Sequence, residues 1–359
     1  MNTKSRLVSL DILRGFTVAG MILVNNGWGE SFEMLRHSRW NGLTPCDLVF
    51  PFFLFIMGIS CYLSLVKSGF QPTRQVLQRI ARRTVLLFAI GLFINWFDHA
   101  VEGDLLCFGH LRVWAVMQRI ALCYGVVSLF AVGCPHRLTL PVAAGLLAVY
   151  TVILLAGNGY AYDADVNILA QADLRLFGYD HIYHKSPVDP EGLLGTIPSV
   201  AHVLLGFYCG SLVRRGGTVG DKALAVFVFG TVLLFLGWLL SFGLPLNKRI
   251  WSPSYALVTC GLASLLLGAL VSTERGGAGD SPLKSFFLVF GVNALALYVS
   301  SELLAIVLKQ VGLSELVYDG IHAVVAPLKW ASLGYALYFV LLNYAIGYIL
   351  YRQKIFIKL

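Results

Sequence analysis

Three polar side chains of different chemistry fall near one another in the N-terminal part of the sequence. Asn25 ends a first apolar segment, Asp47 begins a second, and His37 lies in the stretch that joins them. A histidine can take a proton from an incoming nucleophile, a carboxylate can fix its tautomer, and an amide can donate to a developing oxyanion. This trio is therefore typical of an acyl-transfer site.

The same residues also have a structural interpretation. In the stretch TPCD, Thr44 can cap the second segment, Pro45 suits the first helical position, and Asp47 at the third position completes a capping-box-like arrangement. His37 alone would be an ordinary interfacial histidine, and Asn25 a satisfied polar residue at a helix end. At Asp47, capping and chemistry can coexist.

The elements that carry these residues are predicted to be membrane-spanning helices. Hydrophobic residues make up 57% of the 359 residues and charged residues only 13%, against about 25% charged residues in soluble domains. About 20 apolar residues cross the hydrocarbon layer as a helix. We expect an all-α, polytopic transmembrane helix bundle of about ten spans, forming a single domain over residues 1–359. The predicted spans are 12–29, 48–66, 84–97, 113–133, 138–156, 193–213, 223–243, 255–272, 285–308 and 331–351.

The basic residues predict the orientation. Ten spans put both termini on one side, and most of the 27 Lys and Arg residues fall on that side. They are Lys4, Arg6, Arg14, Lys67, Arg74, Arg79, Arg82, Arg83, Arg137, Arg214, Arg215, Lys222, Arg275, Lys284, Arg352, Lys354 and Lys358. Because basic loops stay in the cytoplasm, we expect cytoplasmic termini, a cytoplasmic (inner) membrane location and the trio at the outer face. The net charge of +8 is then a topology signal and does not indicate nucleic-acid binding.

Neither the cysteines nor the histidines predict a metal centre. Of the seven cysteines, only Cys46 and Cys107 fall in outer loops, and a disulfide between them is left open. His181 and His184 in the stretch HIYH have a spacing that could ligate zinc, but no matching cluster completes a four-ligand site. We therefore predict no metal.

Several blocks of sequence resemble a known family. They are SLDILRG, VNN, HSRWNGLTPCDLVFPFFLFIMG, VMQRIALCYG, DPEGLLGTIPS, LNKRIWSPSYAL and FGVNALALYV. In this order they are similar to the transmembrane acetyltransferase family typified by heparan-alpha-glucosaminide N-acetyltransferase and its bacterial relatives. The similarity runs from residue 9 to about residue 299, and the chain resembles the compact bacterial members.

The resemblance implies transfer of acetyl from acetyl-CoA to the amine of an amino sugar or glucosamine-containing oligosaccharide on the extracytoplasmic side. His37 matches the catalytic histidine, and Asn25 and Asp47 would support it. The histidine would act through an acetyl-histidine intermediate or as a general base for direct attack. Direct transfer is slightly favoured because a thioester is already activated, and both routes require His37. The resemblance further implies contact with membrane lipid and a homodimer.

Polar and aromatic residues of the other blocks are interpreted as contacts to acetyl-CoA. Arginine and lysine can hold phosphates, tryptophan can stack on adenine or sugar, and a carboxylate can bind the substrate amine or order an arginine. These residues are Gln118, Arg119, Glu191, Asn247, Lys248, Trp251 and Ser252. Anchoring of helix ends is the structural alternative. Since acetyl-CoA is cytosolic, either its pantetheine arm threads a tunnel between helices or the whole molecule binds an outer pocket.

Two other functions fit the same residues. An amino-sugar transporter would use His37 and Asp47 as a proton relay, although no inverted repeat is visible in the sequence. A glycan O-acetyltransferase would keep the acetyl donor and replace the acceptor amine with a hydroxyl.

Overall fold

The computed structural model describes residues 7–274 and 281–357, which are helices joined by turns and loops, without strands. The helices are α1 Val8–Asn25, α2 Val49–Leu65, α3 Arg74–Val101, α4 Val116–Gly133, α5 Thr139–Ala156, α6 Ile168–Phe177, α7 Thr196–Arg214, α8 Val219–Ser241, α9 Pro253–Thr273, α10 Pro282–Val292, α11 Ala294–Gln310, α12 Leu313–Val324 and α13 Leu328–Arg352. Within the described ranges, nine helices are long and apolar enough to cross a membrane, or ten if α10 and α11 form one span. The predicted all-α bundle is confirmed.

The predicted boundaries of most spans agree with the structure to within a few residues. The largest extension is α3, which begins at Arg74 and runs for 28 residues. Its first turns carry the stretch RIARR, whose long basic side chains can reach the interface while their stems cover apolar surface. Lys4, Arg6, Arg275 and Lys358 lie outside the described residues. The orientation of the chain stays a prediction.

The structure differs from the prediction in the ninth span, which is bent. Here α10 and α11 meet at an angle of 80°. Asn293 leaves the helical conformation at the break, with φ −118° and ψ 35°. Its Nδ2 donates to the Ile355 carbonyl at 2.9 Å, and its Oδ1 accepts from Ile357 N at 2.9 Å. The segment that follows α13 thus supplies hydrogen-bond partners to both polar groups of the Asn293 side chain. The short helices α6 and α12 were not predicted.

Glycines let the helices around the second span approach closely. A Cβ atom on Gly58 of α2 would overlap the carbonyl oxygen of Val203 in α7, and one on Gly206 of α7 would overlap the carbonyl oxygen of Phe55 in α2. Such contacts bring helix backbones together in membrane proteins. They fix α2, and with it the residues at its entrance, against α7.

Replacement of Gly206 by alanine is expected to destabilise the bundle. The added methyl group would force α2 and α7 apart, and overpacking of this kind costs about 1–3 kcal/mol. The matched control is Gly145→Ala in α5, where a Cβ atom meets nothing within 4 Å and alanine is the better helix former. Thermal unfolding in detergent should give a lower midpoint for Gly206→Ala and an unchanged or higher one for Gly145→Ala. Equal midpoints for the two variants would contradict the close α2–α7 contact.

Candidate active site

The entrance of α2 is built around a capped turn. Residues Pro45–Leu48 form a 3₁₀ turn that leads directly into α2. The backbone N–H of Thr44 donates to Asp47 Oδ2 at 3.1 Å, and Asp47 N donates back to the Thr44 carbonyl at 2.9 Å. The predicted capping role of Asp47 is confirmed.

The Asp47 carboxylate is fully buried and surrounded by donors. Besides the Thr44 backbone, its Oδ2 accepts from Thr44 Oγ1 at 3.0 Å and from Ser38 N at 3.2 Å. Its Oδ1 lies 2.8 Å from His37 Nδ1. An ionised carboxylate can only accept, so Nδ1 carries the proton and Nε2 keeps the lone pair of the neutral ring. Asp47 thereby orients His37 and fixes its tautomer.

The two partners differ sharply in exposure. The Asp47 side chain is 0% exposed and that of His37 is 39% exposed. The carboxylate is shielded from water, whereas the imidazole can be reached from outside. This is the arrangement that a general base with a buried orienting group requires.

Lys248 completes the group around the imidazole. Its Nζ lies 2.9 Å from His37 Nδ1, 3.0 Å from His37 Nε2 and 3.9 Å from Asp47 Oδ1. Lys248 Nζ is therefore nearly equidistant from the two ring nitrogens, of which Nε2 is the one that keeps a lone pair. Burial lowers the pKa of Lys248, against the opposite effect of the carboxylates of Asp47 and Glu191. The sequence predicts Lys248 as a cofactor contact, which remains a prediction, and the structure places its amino group beside the His37 ring.

Asn247 and Ser252 organise the loop that carries Lys248. Asn247 Oδ1 accepts from the backbone N–H groups of Arg249 and Ile250 at 2.8 and 3.2 Å. Ser252 Oγ accepts from Asn247 N at 3.0 Å. The Asn247 amide also donates to Asn41 Oδ1 at 3.2 Å. These bonds tie the loop to the His37 segment, while the predicted cofactor contacts of the two residues remain predictions.

Trp251 adopts an unusual backbone conformation beneath this loop. Its φ is +52°, a region that bulky residues rarely occupy. The indole is buried, with ring centroids 5.2 Å from Phe50 and 5.7 Å from His202, and the Arg119 guanidinium carbon lies 5.4 Å from its ring centroid. The strained turn thus directs a large aromatic surface into the bundle, next to a buried cation.

Gln118 and Arg119 at the start of α4 carry buried polar atoms without partners. Arg119 Nη2 donates to the Gly192 carbonyl at 2.8 Å, but its Nε and Nη1 have no partner among the described residues. Both polar atoms of the Gln118 side chain are likewise unpaired within that part of the chain. A buried donor without an acceptor costs about 1–3 kcal/mol. The predicted cofactor contacts of Gln118 and Arg119 remain predictions, with buried polar atoms that have no partner among the described residues.

Glu191 belongs to an ion-pair cluster that sequence reasoning missed. Arg112 Nη2 donates to Asp189 Oδ1 at 2.7 Å and to Glu191 Oε2 at 2.9 Å, and its guanidinium lies 4.5 Å from the Tyr183 ring centroid. Burial raises the pKa of Asp189. Burial also acts to raise the pKa of Glu191, but the positive charges around it, that of Arg112 foremost, lower it overall. Asp189 was within reach of sequence reasoning, since it opens the same DPEG stretch as Glu191.

Asn25 is the last residue of α1. Its side chain lies close enough to Glu302 of α11 for the two to interact, and within the described residues no hydrogen bond joins it to His37. The predicted role of Asn25 beside the histidine remains a prediction.

The loop cysteines and the HIYH stretch have separate surroundings. Cys46 and Cys107 are both buried free thiols, and Cys46 Sγ lies 3.1 Å from His37 Nδ1. His181 Nδ1 donates to the Leu111 carbonyl at 2.7 Å, whereas the His184 ring packs on Tyr179 with centroids 4.3 Å apart. The disulfide left open is not formed.

Asp173 of α6 supports the segment that meets Arg119. Its Oδ1 accepts from Leu193 N at 2.9 Å, and a Cβ atom on Gly192 would overlap its Oδ2. Burial raises the pKa of Asp173 to about 6. No motif in the sequence marks Asp173, and the short helix α6 that carries it was not predicted.

An apolar groove of about 550 Å³ lies between α3 and α11. Its lining includes Ile90, Leu303 and Ile357. None of the predicted site residues lines it.

The fold and the site define a polytopic helical membrane protein with an oriented histidine at the mouth of one span. Residues 6–244 match the family described as heparan-alpha-glucosaminide N-acetyltransferase, catalytic. The chain belongs to this family of N-acetyltransferases.

Two relatives carry the name heparan-alpha-glucosaminide N-acetyltransferase. The one from Homo sapiens is 29% identical over 99% of this chain and 60% of its own length. The one from Mus musculus is 27% identical over 84% of this chain and 54% of its own length. The chain thus spans somewhat more than half the length of these relatives.

Replacement of Asp173 by asparagine is expected to change how stability depends on pH. The folded-state pKa of about 6 lies above the ordinary value of 3.8, so the folded state binds the proton more tightly. The protonated carboxyl therefore stabilises the fold fully below about pH 4, and this contribution is lost as the pH rises through about 6. Asparagine does not titrate. The melting temperature of wild type relative to Asp173→Asn should fall over this range in detergent, and a difference independent of pH would disprove the buried neutral carboxyl.

Proposed function

We propose that the chain is an acetyl-CoA-dependent N-acetyltransferase of the cytoplasmic membrane that acetylates the amine of a glucosamine-type sugar on the extracytoplasmic side. The observation that carries the proposal is the bond of 2.8 Å between His37 Nδ1 and the buried Asp47. It leaves Nε2 as the basic nitrogen of a ring that is accessible from outside. Family membership and the names of the relatives support the acetyl group and the amino sugar.

His37 acts as the general base in this proposal. Its Nε2 takes a proton from the attacking sugar amine as the nitrogen–carbon bond to the acetyl group forms. The carbon–sulfur bond then breaks, and the proton passes to the leaving thiolate. Asp47 stabilises the imidazolium that forms meanwhile. The route needs no acetyl-histidine, in keeping with an already activated thioester.

Lys248 is better supported than Asn25 as the donor to the developing oxyanion. Its Nζ lies 3.0 Å from His37 Nε2, within reach of an acetyl carbonyl held at that nitrogen. When His37 accepts a proton, its Nε2 can no longer accept from the lysine, so the ammonium turns to the carbonyl oxygen. A preformed cation in a water-poor site favours charge development there. Within the described residues no hydrogen bond joins Asn25 to His37, and its side chain interacts with Glu302.

Unpaired polar atoms near Trp251 support a site for acetyl-CoA. Arg119 Nε and Nη1, the Gln118 amide and Trp251 Nε1 are buried without partners in the described part of the chain. Acetyl-CoA offers phosphate oxygens and two amide groups in its pantetheine arm, which match these donors and the Gln118 carbonyl. When bound, it supplies the thioester-activated acetyl group. Glu191, which is close enough to Lys248 for their charges to interact, borders the proposed acceptor side.

Replacement of His37 by alanine is expected to abolish acetyl transfer. Purified protein in detergent would be given radiolabelled acetyl-CoA and glucosamine or glucosamine oligosaccharides, with His184→Ala as the control at an exposed histidine. Loss of the general base should reduce kcat by roughly 10²- to 10⁴-fold, whereas the control should match wild type.

Two outcomes of the same assay would favour the other functions. Label that hydroxylamine removes from the product would indicate an ester and hence O-acetylation. Absence of transfer to any acceptor by wild type, together with glucosamine uptake into liposomes that contain the protein, would indicate a transporter.

Replacement of Asp47 by asparagine tests the orienting role. Asparagine keeps the shape but removes the charge that fixes the His37 tautomer, so kcat should fall by about 10²- to 10⁴-fold with a smaller change in KM. Asp180→Asn, at an exposed loop carboxylate, is the control. Unchanged kcat in Asp47→Asn would reduce Asp47 to a helix cap.

A further inference from the structure

The segment between α3 and α4 brings together three metal-ligating side chains outside the candidate active site. Ligand atoms of His99, Asp104 and His110 all lie within 4.8 Å of one another. His110 Nε2 lies 2.9 Å from Asp104 Oδ2, and the rings of His99 and His110 are 5.1 Å apart between centroids. His99 lies in the last turn of α3, whereas the other two lie in the following loop, so the cluster forms only because the chain turns back on itself.

The backbone that carries these ligands is held in place by hydrogen bonds. Asp104 N donates to the His99 carbonyl at 3.0 Å, and His110 N donates to the Cys107 carbonyl at 3.0 Å. The turn between them is anchored to α3, because Trp96 Nε1 donates to the Leu105 carbonyl at 3.2 Å. The ligands are therefore positioned without a metal.

The end of the segment is anchored as well. Asn95 of α3 donates to the Arg112 carbonyl at 2.8 Å, and His181 donates to the Leu111 carbonyl at 2.7 Å. His110 thus lies next to two residues whose backbone is fixed by other parts of the fold. A metal ion bound by His110 would therefore attach to a backbone that is already held in place.

We propose that His99, Asp104 and His110 form a binding site for a zinc ion. Two imidazole nitrogens and one carboxylate oxygen are a donor set that suits zinc, whereas magnesium and calcium prefer oxygen ligands. Zinc–ligand distances near 2.1 Å in a tetrahedron place the donors about 3.4 Å apart. The three ligand atoms lie within 4.8 Å of one another and one pair is 2.9 Å apart, so this value falls within their observed range of spacing. The fourth position is free for water or another ligand.

The site has a structural consequence for the loop and for the ion-pair cluster behind it. Leu105, Leu106 and Phe108 of the loop are exposed by 59%, 82% and 64%, so the tip gains little from burial. A zinc ion would link the end of α3 to both sides of this tip. It would also brace the backbone two residues before Arg112, which pairs with Glu191. The zinc ion serves here as a clamp and takes no part in acetyl transfer.

The test is zinc binding by the full chain, purified in detergent without a histidine tag and stripped of metal with a chelator. Calorimetric titration with zinc should give one equivalent per chain, and zinc should raise the melting temperature. His99→Gln and His110→Gln should each weaken zinc binding at least tenfold, whereas His184→Gln, at an exposed loop histidine, should bind as wild type does. Magnesium and calcium should not compete.

Cobalt provides a second readout that does not depend on stability. Cobalt bound in a tetrahedral site with nitrogen and oxygen ligands gives visible absorption bands, which should appear with wild type and His184→Gln and be absent with His99→Gln and His110→Gln. Gel filtration and circular dichroism show that each variant is folded. Absence of zinc binding by wild type, or equal binding by wild type and both ligand variants, would overturn the proposal.

Discussion

The buried carboxylate of Asp47 is the constraint on which the site depends. Burial of a carboxylate at the edge of a membrane costs on the order of several kcal/mol unless its lone pairs accept hydrogen bonds. Thr44 and Ser38 supply backbone and hydroxyl donors to one oxygen, and His37 supplies Nδ1–H to the other. The segment between α1 and α2 folds into a turn that brings these donors to the carboxylate. The bond to Asp47 also sets the tautomer of His37, whose side chain is exposed.

The position of the Asp47 carboxylate depends in turn on the packing of α2 against α7 and α9. The Asp47 carbonyl accepts from Tyr255 OH of α9 at 2.6 Å, while Gly58 and Gly206 let α2 approach α7 at backbone distance. The loop before α9 then delivers Lys248 to the imidazole. A small displacement of any of these helices would separate the lysine from His37, because its distance of 3.0 Å is set by three different spans. The arrangement of His37, Asp47 and Lys248 is thus a property of the bundle and cannot be assigned to one loop.

The sequence was a good guide to the spans and to the pair of His37 and Asp47, because long apolar runs and a capping motif are local signals. It failed where a long-range contact decides. The bend at Asn293 depends on the backbone of Ile355 and Ile357, more than sixty residues away. Arg112 lies in a loop without a motif, and only the fold brings it to Glu191. The role of Asn25 beside His37 stays a prediction, since the structure records only its interaction with Glu302 of α11.

The sequence predicts that Lys248 contacts the cofactor, and the structure adds His37 and Asp47 as its neighbours. A lysine in a polar block with arginine and tryptophan suggests a phosphate contact, because its ammonium group can pair with phosphate oxygens. Its burial changes the chemistry: desolvation disfavours the ammonium, while the carboxylates of Asp47 and Glu191 retain it. If the Lys248 side chain moved away to contact a phosphate, the buried Asp47 carboxylate would lose a neighbouring positive charge. This charge balance favours the proposed role of Lys248 at the acetyl carbonyl, and the buried Arg119 remains the candidate for the proposed phosphate contact.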